Sequence, residues 1–451
     1  MAVAVLPLVG CASTYDPELV ERRSKTLFAP RPEGASSPSG GTPTVSDGEP
    51  PELVDDSGLA DYVAFGLAHS AELRAAFEDW RALTERVAQE SALPAPRLSY
   101  VEFLEEVQTR TGPQERRFGL SQAFPWPGEL DQRATVAERR AEARWYQVEE
   151  VRLAVSQEIE LAYQDYAFLG EEQRITDELL ELLRGLEPIV QSQVAAGRGQ
   201  ADILRLQVEI GRLEDELASV ERRRPARSAR LAAALDLELA AGELLPIPRL
   251  EEPATVPIEA ARARELAFAQ NPVLLRLREE IELARANEGL AAYRRKPSFS
   301  VGIDAILTGD APGTGVSGSG DDPLLVGLSV GLPIWTTSYA AAEREARHVL
   351  RAAEARLDGW RTALVAEVEE IVFHVDDATR KLSLYRDSLI PRASEALELT
   401  LSSYRAGEAT VLDLIDSERA LLEFERSFWR ACRDRLQGEA RLRSVTAEEI
   451  R

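Results

Sequence analysis

The sequence predicts a mainly α-helical chain with a membrane β-barrel part, built as one helix–strand–strand–helix unit written twice. Three observations predict this. Gly119-Leu120-Ser121 recurs as Gly327-Leu328-Ser329, and Pro125 as Pro333, at one offset of 208. Leu73 answers Leu274 and Pro96 answers Pro297 at 201, while Gly197 answers Gly407 at 210; recurrence at a near-fixed period marks a repeated structural unit. Composition is the second observation: Ala, Glu, Leu and Arg dominate and aromatics are only 6%, which suits long helices better than one large globular core. The third is a pair of alternating segments at homologous positions in the two copies.

The elements follow in order. Leu8-Val9-Gly10-Cys11 has the form of a bacterial lipobox, so Cys11 is the candidate lipidation site, with 1–10 as the signal remnant. The segment before Cys11 is apolar but lacks the basic start of a secretory signal. Residues 11–58 then read as a Pro/Gly/Ser-rich tether on that anchor. The first repeat is expected at 59–256, the second at 257–444, and a tail at 445–451. Each repeat opens with a short helix (59–69; 257–270) and a medium one (70–93; 272–295). Asn271 is a good N-cap with Pro272 at the first helical position, and Ser70 stands in the matching place. After the strands come very long helical stretches (128–196; 337–406), a Gly-containing turn, and a last helix (200–240; 410–443). Residues 128–196 would reach roughly 100 Å at 1.5 Å per residue, and the shorter helices laid end to end match that length. A hollow or bundled helical cylinder is the expectation, with kinks at Pro188 and Pro391.

Strands are expected at 97–106 and 117–124, then at 298–308 and 323–332. Phe299, Val301, Ile303, Ala305 and Leu307 alternate with Ser300, Gly302, Asp304 and Ile306; Leu324, Val326, Leu328, Val330 and Leu332 alternate with Leu325, Gly327, Ser329 and Gly331. Apolar on one face and small or polar on the other, at about ten residues, is the membrane-barrel signature. The first pair is weaker, with Gln122 among Phe118, Leu120 and Phe124. No run of 18 apolar residues offers a transmembrane helix. Four strands cannot close a barrel, and open edges in lipid leave backbone groups unsatisfied. Oligomerisation follows, and three copies giving twelve strands is the simplest cyclic closure.

Other classes find little to hold. A net charge of −24 argues against nucleic acid as partner. No P-loop or H-E-x-x-H motif appears, and no His-Asp-Ser constellation is placed on a sheet scaffold, so no enzyme is expected. Three His, one Met and no Cys pair leave no metal set, and no cofactor is implied.

The chain resembles the outer-membrane efflux protein family, the TolC type. The duplicated unit carries the resemblance, together with the stretch Gly119-Leu-Ser-Gln-Ala-Phe-Pro-Trp-Pro-Gly-Glu-Leu130, the stretch Gly327-Leu-Ser-Val-Gly-Leu-Pro-Ile-Trp335, and Tyr404-Arg-Ala-Gly407 followed by Val411-Leu-Asp-Leu-Ile-Asp416. The Phe124-Pro-Trp-Pro-Gly128 form is most similar to the heavy-metal-efflux, CusC- and CzcC-like branch. The resemblance implies a homotrimer with a twelve-stranded barrel in outer-membrane lipid and a twelve-helix periplasmic coiled-coil tunnel. It implies an exit duct of a tripartite pump for metal cations or small toxic compounds, met by a periplasmic adaptor and an inner-membrane RND or ABC transporter. A type I protein-secretion duct is the neighbouring reading; a periplasmic coiled-coil adaptor lipoprotein is the contrasting class.

The resemblance also assigns residues. The adaptor-contacting tips fall at Gly197, Arg198 and Gly199 and at Gly407 and Glu408. The periplasmic gate falls on Asp413 and Asp416, three apart on one helix face, with Tyr404 and Asp202 in a closing network between hairpins. The basic member of that network falls on Ala409, a departure for which Arg198 or Arg405 are the candidate substitutes.

Overall fold

The computed structural model describes residues 15–28, 53, 57–195, 200–254 and 257–447. Ten α-helices and four strands are present among them: α1 Pro17–Phe28, α2 Leu59–His69, α3 Ala71–Ser91, β1 Arg97–Thr109, β2 Gly112–Phe124, α4 Glu129–Ala195, α5 Gln200–Ala234, α6 Ala260–Gln270, α7 Pro272–Tyr293, β3 Ser298–Thr308, β4 Leu324–Gly331, α8 Thr336–Leu384, α9 Ile390–Ala406 and α10 Val411–Thr446. Two compact units result, and both draw on each repeat. Among the described residues, one gathers 77–146 and 275–359 with 15–21; the other gathers the described parts of 22–76, 147–274 and 360–447.

The first unit holds the sheet, an antiparallel meander in the order β1-β2-β3-β4. Its helical part packs Trp80 against Trp145 and Phe77, with ring centroids 4.9 and 5.4 Å apart. A smaller cluster joins Val87, Ala134 and Ala137, with Tyr15 against it. In the second unit, one cluster joins Phe168, Leu382, Phe428 and Cys432, and two larger ones lie beside it. Tyr62, Ile159, Tyr166, Leu231 and Leu235 form one; Leu183, Val190, Leu206, Leu213, Tyr404, Val411, Leu414 and Leu422 form the other, where α4, α5, α9 and α10 meet.

The repeat is visible in local chemistry. The Ser70 hydroxyl accepts from the Leu73 amide, and the Asn271 side-chain oxygen accepts from the Leu274 amide, each at 3.1 Å. Both are N-caps, and both Leu73 and Leu274 are fully buried behind them. The Asn271 side-chain Nδ2 also donates to the Val445 carbonyl at 2.9 Å, tying the start of α7 to the end of α10.

Several expectations are corrected. The segment 11–58 is not wholly tether, since α1 forms within it and buries Leu27. The first two strands run beyond 106 and begin before 117, because a two-residue turn at Arg110 and Thr111 joins them. There the Thr109 hydroxyl donates to the Gly112 carbonyl at 2.6 Å, and Gly112 takes a φ of +135°. The last strand is shorter than 323–332 and stops at Gly331, before Pro333. Helix α5 ends at Ala234 rather than 240: Asp236 adopts a left-handed φ of +52°, and its carboxylate accepts from the Ala71 amide at 2.6 Å. Helix α4 runs through Pro188 unbroken, whereas Pro391 follows a single π-helical turn, Tyr385–Leu389, that separates α8 from α9. The 309–322 loop lies on the β1–β2 turn, with the Gly309 amide donating to Pro113 and the Gly320 amide to Thr111, at 2.8 and 2.9 Å.

Because Asn271 satisfies a helix terminus and a buried carbonyl together, Asn271→Ala is expected to cost about 2 kcal/mol, against about 1 for Ser70→Ala. Paired denaturation curves of the two variants check the difference.

Candidate functional site: a two-faced sheet and a helix-turn tip

The register of the sheet sorts its side chains into two faces. Leu98, Leu120, Ile303 and Val326 stand opposite one another across all four strands. Tyr100, Phe118, Ala305 and Leu324 form the next row on the same face. Towards the strand bases, Val301 faces Leu328 and Phe299 faces both Phe124 and Val330. This face is bare: Leu98 is 80% exposed and Val326 75%. Gln122, the polar residue among them, sits at the base and donates to the Pro94 and Ala123 carbonyls at 2.7 and 2.8 Å. Its polarity is therefore spent on backbone at the edge of the apolar field.

The opposite face is mainly small and polar, with Val101, Ile306 and Leu325 as exceptions. Its rows join Ser99, Gly119, Asp304 and Leu325, then Arg97, Ser121, Gly302 and Gly327. Arg117 Nε donates to Asp304 Oδ1 at 3.0 Å across β2 and β3. Gly119 leaves room for this pair: a Cβ there would meet the Asp304 carboxylate and the Ser99 hydroxyl within about 2.5 Å, so both side chains would have to shift. Strands β1 and β4 are the two outer strands, each paired on one side only among the described residues. At the strand bases Lys296 lies over the Trp126 ring at 5.6 Å, and Trp126 packs on Phe299 at 5.8 Å.

The second unit contains the turn between α9 and α10. Gly407 ends α9 with a left-handed φ of +81°, and the Glu408 amide returns to the Ser403 carbonyl at 2.9 Å. Gly407 and Glu408 are exposed, whereas Gly197, Arg198 and Gly199 lie outside the described residues, as does Cys11. Asp413 and Asp416 share an exposed face of α10. Asp413 is not a free carboxylate, however. It accepts from the Thr410 amide at 2.8 Å and the Thr410 hydroxyl at 2.6 Å, closing a capping box. Those bonds hold its carboxyl below the ordinary range.

Among the described residues, Tyr404 and Asp202 are not hydrogen-bonded to one another. Tyr404 is buried with no partner for its hydroxyl among the described residues, and burial raises its pKa, with the nearby Asp202 charge adding to the rise. Asp202 instead pairs with Arg205 at 3.4 Å.

The bonds between α5 and α10 lie further along, on residues that motif and spacing did not single out. Arg419 reaches Glu209 through two nitrogens, with Nε to Oε1 at 3.1 Å. Arg212 adds two more bonds to the same carboxylate, at 2.9 and 2.6 Å. Burial opposes the charge on Glu209, but the bonds from Arg419 and Arg212 outweigh it and leave its pKa lowered. Seven residues on, Arg426 pairs with Glu216. Both pairs join repeat-equivalent positions 210 apart, the offset of Gly197 and Gly407. Opposite charges at equivalent positions of two copies were the available signal.

Beside this pair, Glu418 is 2% exposed and neither carboxyl oxygen has a partner among the described residues. Burial, reinforced by Glu209 and opposed by Arg212 and Arg419, lifts its pKa to about 8. The folded chain therefore holds this proton more tightly than the unfolded chain. The stabilisation is full below about 4.5 and is lost as pH rises through about 8. Glu418→Gln is expected to flatten the decline in thermal stability over that window; parallel curves for variant and parent would sink the assignment.

Comparison with known proteins agrees with the architecture. Residues 263–448 match the family model described as outer membrane efflux protein. A search of curated proteins finds no significant match. Among solved structures, the chain is similar to the outer membrane protein VceC of Vibrio cholerae at 18% identity and a TM-score of 0.69, covering 86% of this chain and 95% of that one. It is similar to CusC at 15% and 0.71, covering 86% and 91%. It is likewise similar to the CmeC outer membrane channel of Campylobacter jejuni at 14% and 0.69, covering 93% and 94%. At such identities the likeness establishes the fold, and CusC does not stand apart from the others.

Proposed function

We propose that this chain is one third of an outer-membrane duct, a homotrimer that serves as the passive exit of a tripartite efflux pump. The observation that carries the reading is the sheet, apolar and bare on one face, small and polar on the other, with β1 and β4 unpaired on their outer sides. Lipid against the first face and water against the second satisfies both. The outer sides then require partners, because an unpaired backbone group in hydrocarbon costs several kcal/mol. Three copies pairing β4 with the next β1 supply twelve strands without an edge.

The family match over 263–448 supports the same reading for the helices. The α9–α10 turn, with Gly407 and Glu408 exposed, would meet the periplasmic adaptor of an inner-membrane RND or ABC transporter. The cargo we assign, metal cations or small toxic compounds, rests on the resemblance of the Phe124–Gly128 stretch. No reaction is assigned to the chain; it is a conduit.

Anchoring through an acylated Cys11 fits the described part of the N-terminus. The Tyr15 hydroxyl donates to Glu142, and its ring lies edge-on to Trp80 at 6.2 Å. Tyr15, four residues after Cys11 in sequence, thereby ties the described start of the chain to the helices of the unit that holds the sheet.

Closure at the periplasmic end is assigned to the α5–α10 pairs of Glu209 with Arg419 and Glu216 with Arg426, with Asp416 as the carboxylate free to form a ring of three. Such a ring favours cations. Asp416→Ala is expected to raise the divalent concentration needed for half-block in planar-bilayer recordings; unchanged block would remove Asp416 from the gate.

The two faces make the membrane test. Val326→Arg places a charge on the apolar face at a cost of about 2–4 kcal/mol, and should abolish heat-modifiable oligomer in the outer-membrane fraction. Gly327→Arg, one residue on and with open space where a side chain would stand, should leave the oligomer intact and change its conductance. Equal tolerance of both would contradict a lipid-facing sheet.

A further inference from the structure

The seam between α5 and α10 has a third rung at the same spacing, and there the charges no longer match. After Glu209 with Arg419 and Glu216 with Arg426, the next equivalent positions are Arg223 and Arg433. The surroundings add to the excess. Residues 222–235 contain five arginines and no acidic residue, in a chain of net charge −24. Between α4, α5 and α10 this leaves a cavity of about 190 Å³, lined by Arg223, Arg227, Arg430 and Arg433 with Asp165 and Glu172.

The carboxylates present do not neutralise it. Glu172 pairs with Arg223 at 3.2 Å. Asp165 serves Arg227 at 3.2 Å, Arg230 at 3.7 Å and Arg433 at 3.9 Å, and also accepts from the Gln437 amide at 2.9 Å. Asp434 takes a second share of Arg433 at 2.7 Å. Arg430 has no ion pair or hydrogen bond among the described residues. Four guanidinium groups therefore line the cavity against two carboxylates, an excess of two positive charges on its walls. The Arg433 guanidinium is held over the Phe168 ring at 4.7 Å, which fixes one wall of the cavity.

We infer that this cavity binds a small dianion bearing oxygen acceptors, of the phosphate or short dicarboxylate class. Planar guanidinium forks fit such oxygens bidentately, and an anion of charge two balances the surplus. Bound there, it fastens α4 to α5 and α10 where the seam would otherwise repel itself. The inference does not depend on the membrane reading, because every residue it uses lies within the second unit.

Equilibrium dialysis of the purified full-length protein against labelled inorganic phosphate tests it, with succinate, sulfate and chloride as competitors at matched ionic strength. The expected result is saturable uptake of one phosphate per chain, competed by succinate or sulfate but not by chloride. Arg430→Gln and Arg223→Gln should each weaken binding at least about tenfold. Arg222→Gln, an exposed neighbour that does not line the cavity, should leave it unchanged. Circular dichroism of the variants checks that they fold. Absence of saturable uptake overturns the inference, whether the cavity is empty or filled by an acidic side chain of a second copy. So does uptake equal in all variants, or a stabilisation that follows ionic strength alone.

Discussion

A β-sheet in hydrocarbon has no water to satisfy its edges, and that constraint organises what this chain can be. Strands β1 to β4 pair in sequence order and leave one side of β1 and of β4 without partners. In water such edges invite aggregation; in lipid they are too costly to persist. The exposed rows of Leu98, Leu120, Ile303 and Val326 make water the worse solvent for this face. Edge closure by other copies answers both demands together, and the proposed trimer follows from it.

Duplication has a second consequence in the helices. Two identical copies would place identical charges at equivalent positions of α5 and α10. Glu209 with Arg419, and Glu216 with Arg426, show that the copies have diverged into complementary partners. The carboxylate in the first pair is buried and held by two arginines, so removing one partner costs more than the loss of a surface ion pair would. Where divergence did not produce opposite signs, at Arg223 and Arg433, the arginine-lined cavity appears.

Most of the architecture was legible in the sequence because its signals are local and repeated. Alternation marked the strands, Asn271-Pro272 marked a helix start, and the glycine landmarks aligned the copies. What escaped depended on contacts between distant segments. Helix α1 was hidden in a polar stretch, since its buried Leu27 means little without its surroundings. The end of α5 was set by Asp236 reaching the Ala71 amide, a contact 165 residues away. At the tip, spacing put Asp413 and Asp416 on one face but could not reveal that Thr410 already occupies Asp413. Nor could spacing show that the Tyr404 hydroxyl is buried or that Asp202 pairs with Arg205. Glu418 gave no sign of its burial, because a glutamate among charged residues reads as solvated.

The mass of the assembly extracted from the outer membrane tests the central claim most directly. Native mass spectrometry of the detergent-solubilised full-length chain should give three copies per particle, with amides on the outer sides of β1 and β4 as slow to exchange as those between β2 and β3. A single-copy particle, stable in water without detergent and with both outer strands exchanging freely, would contradict the account.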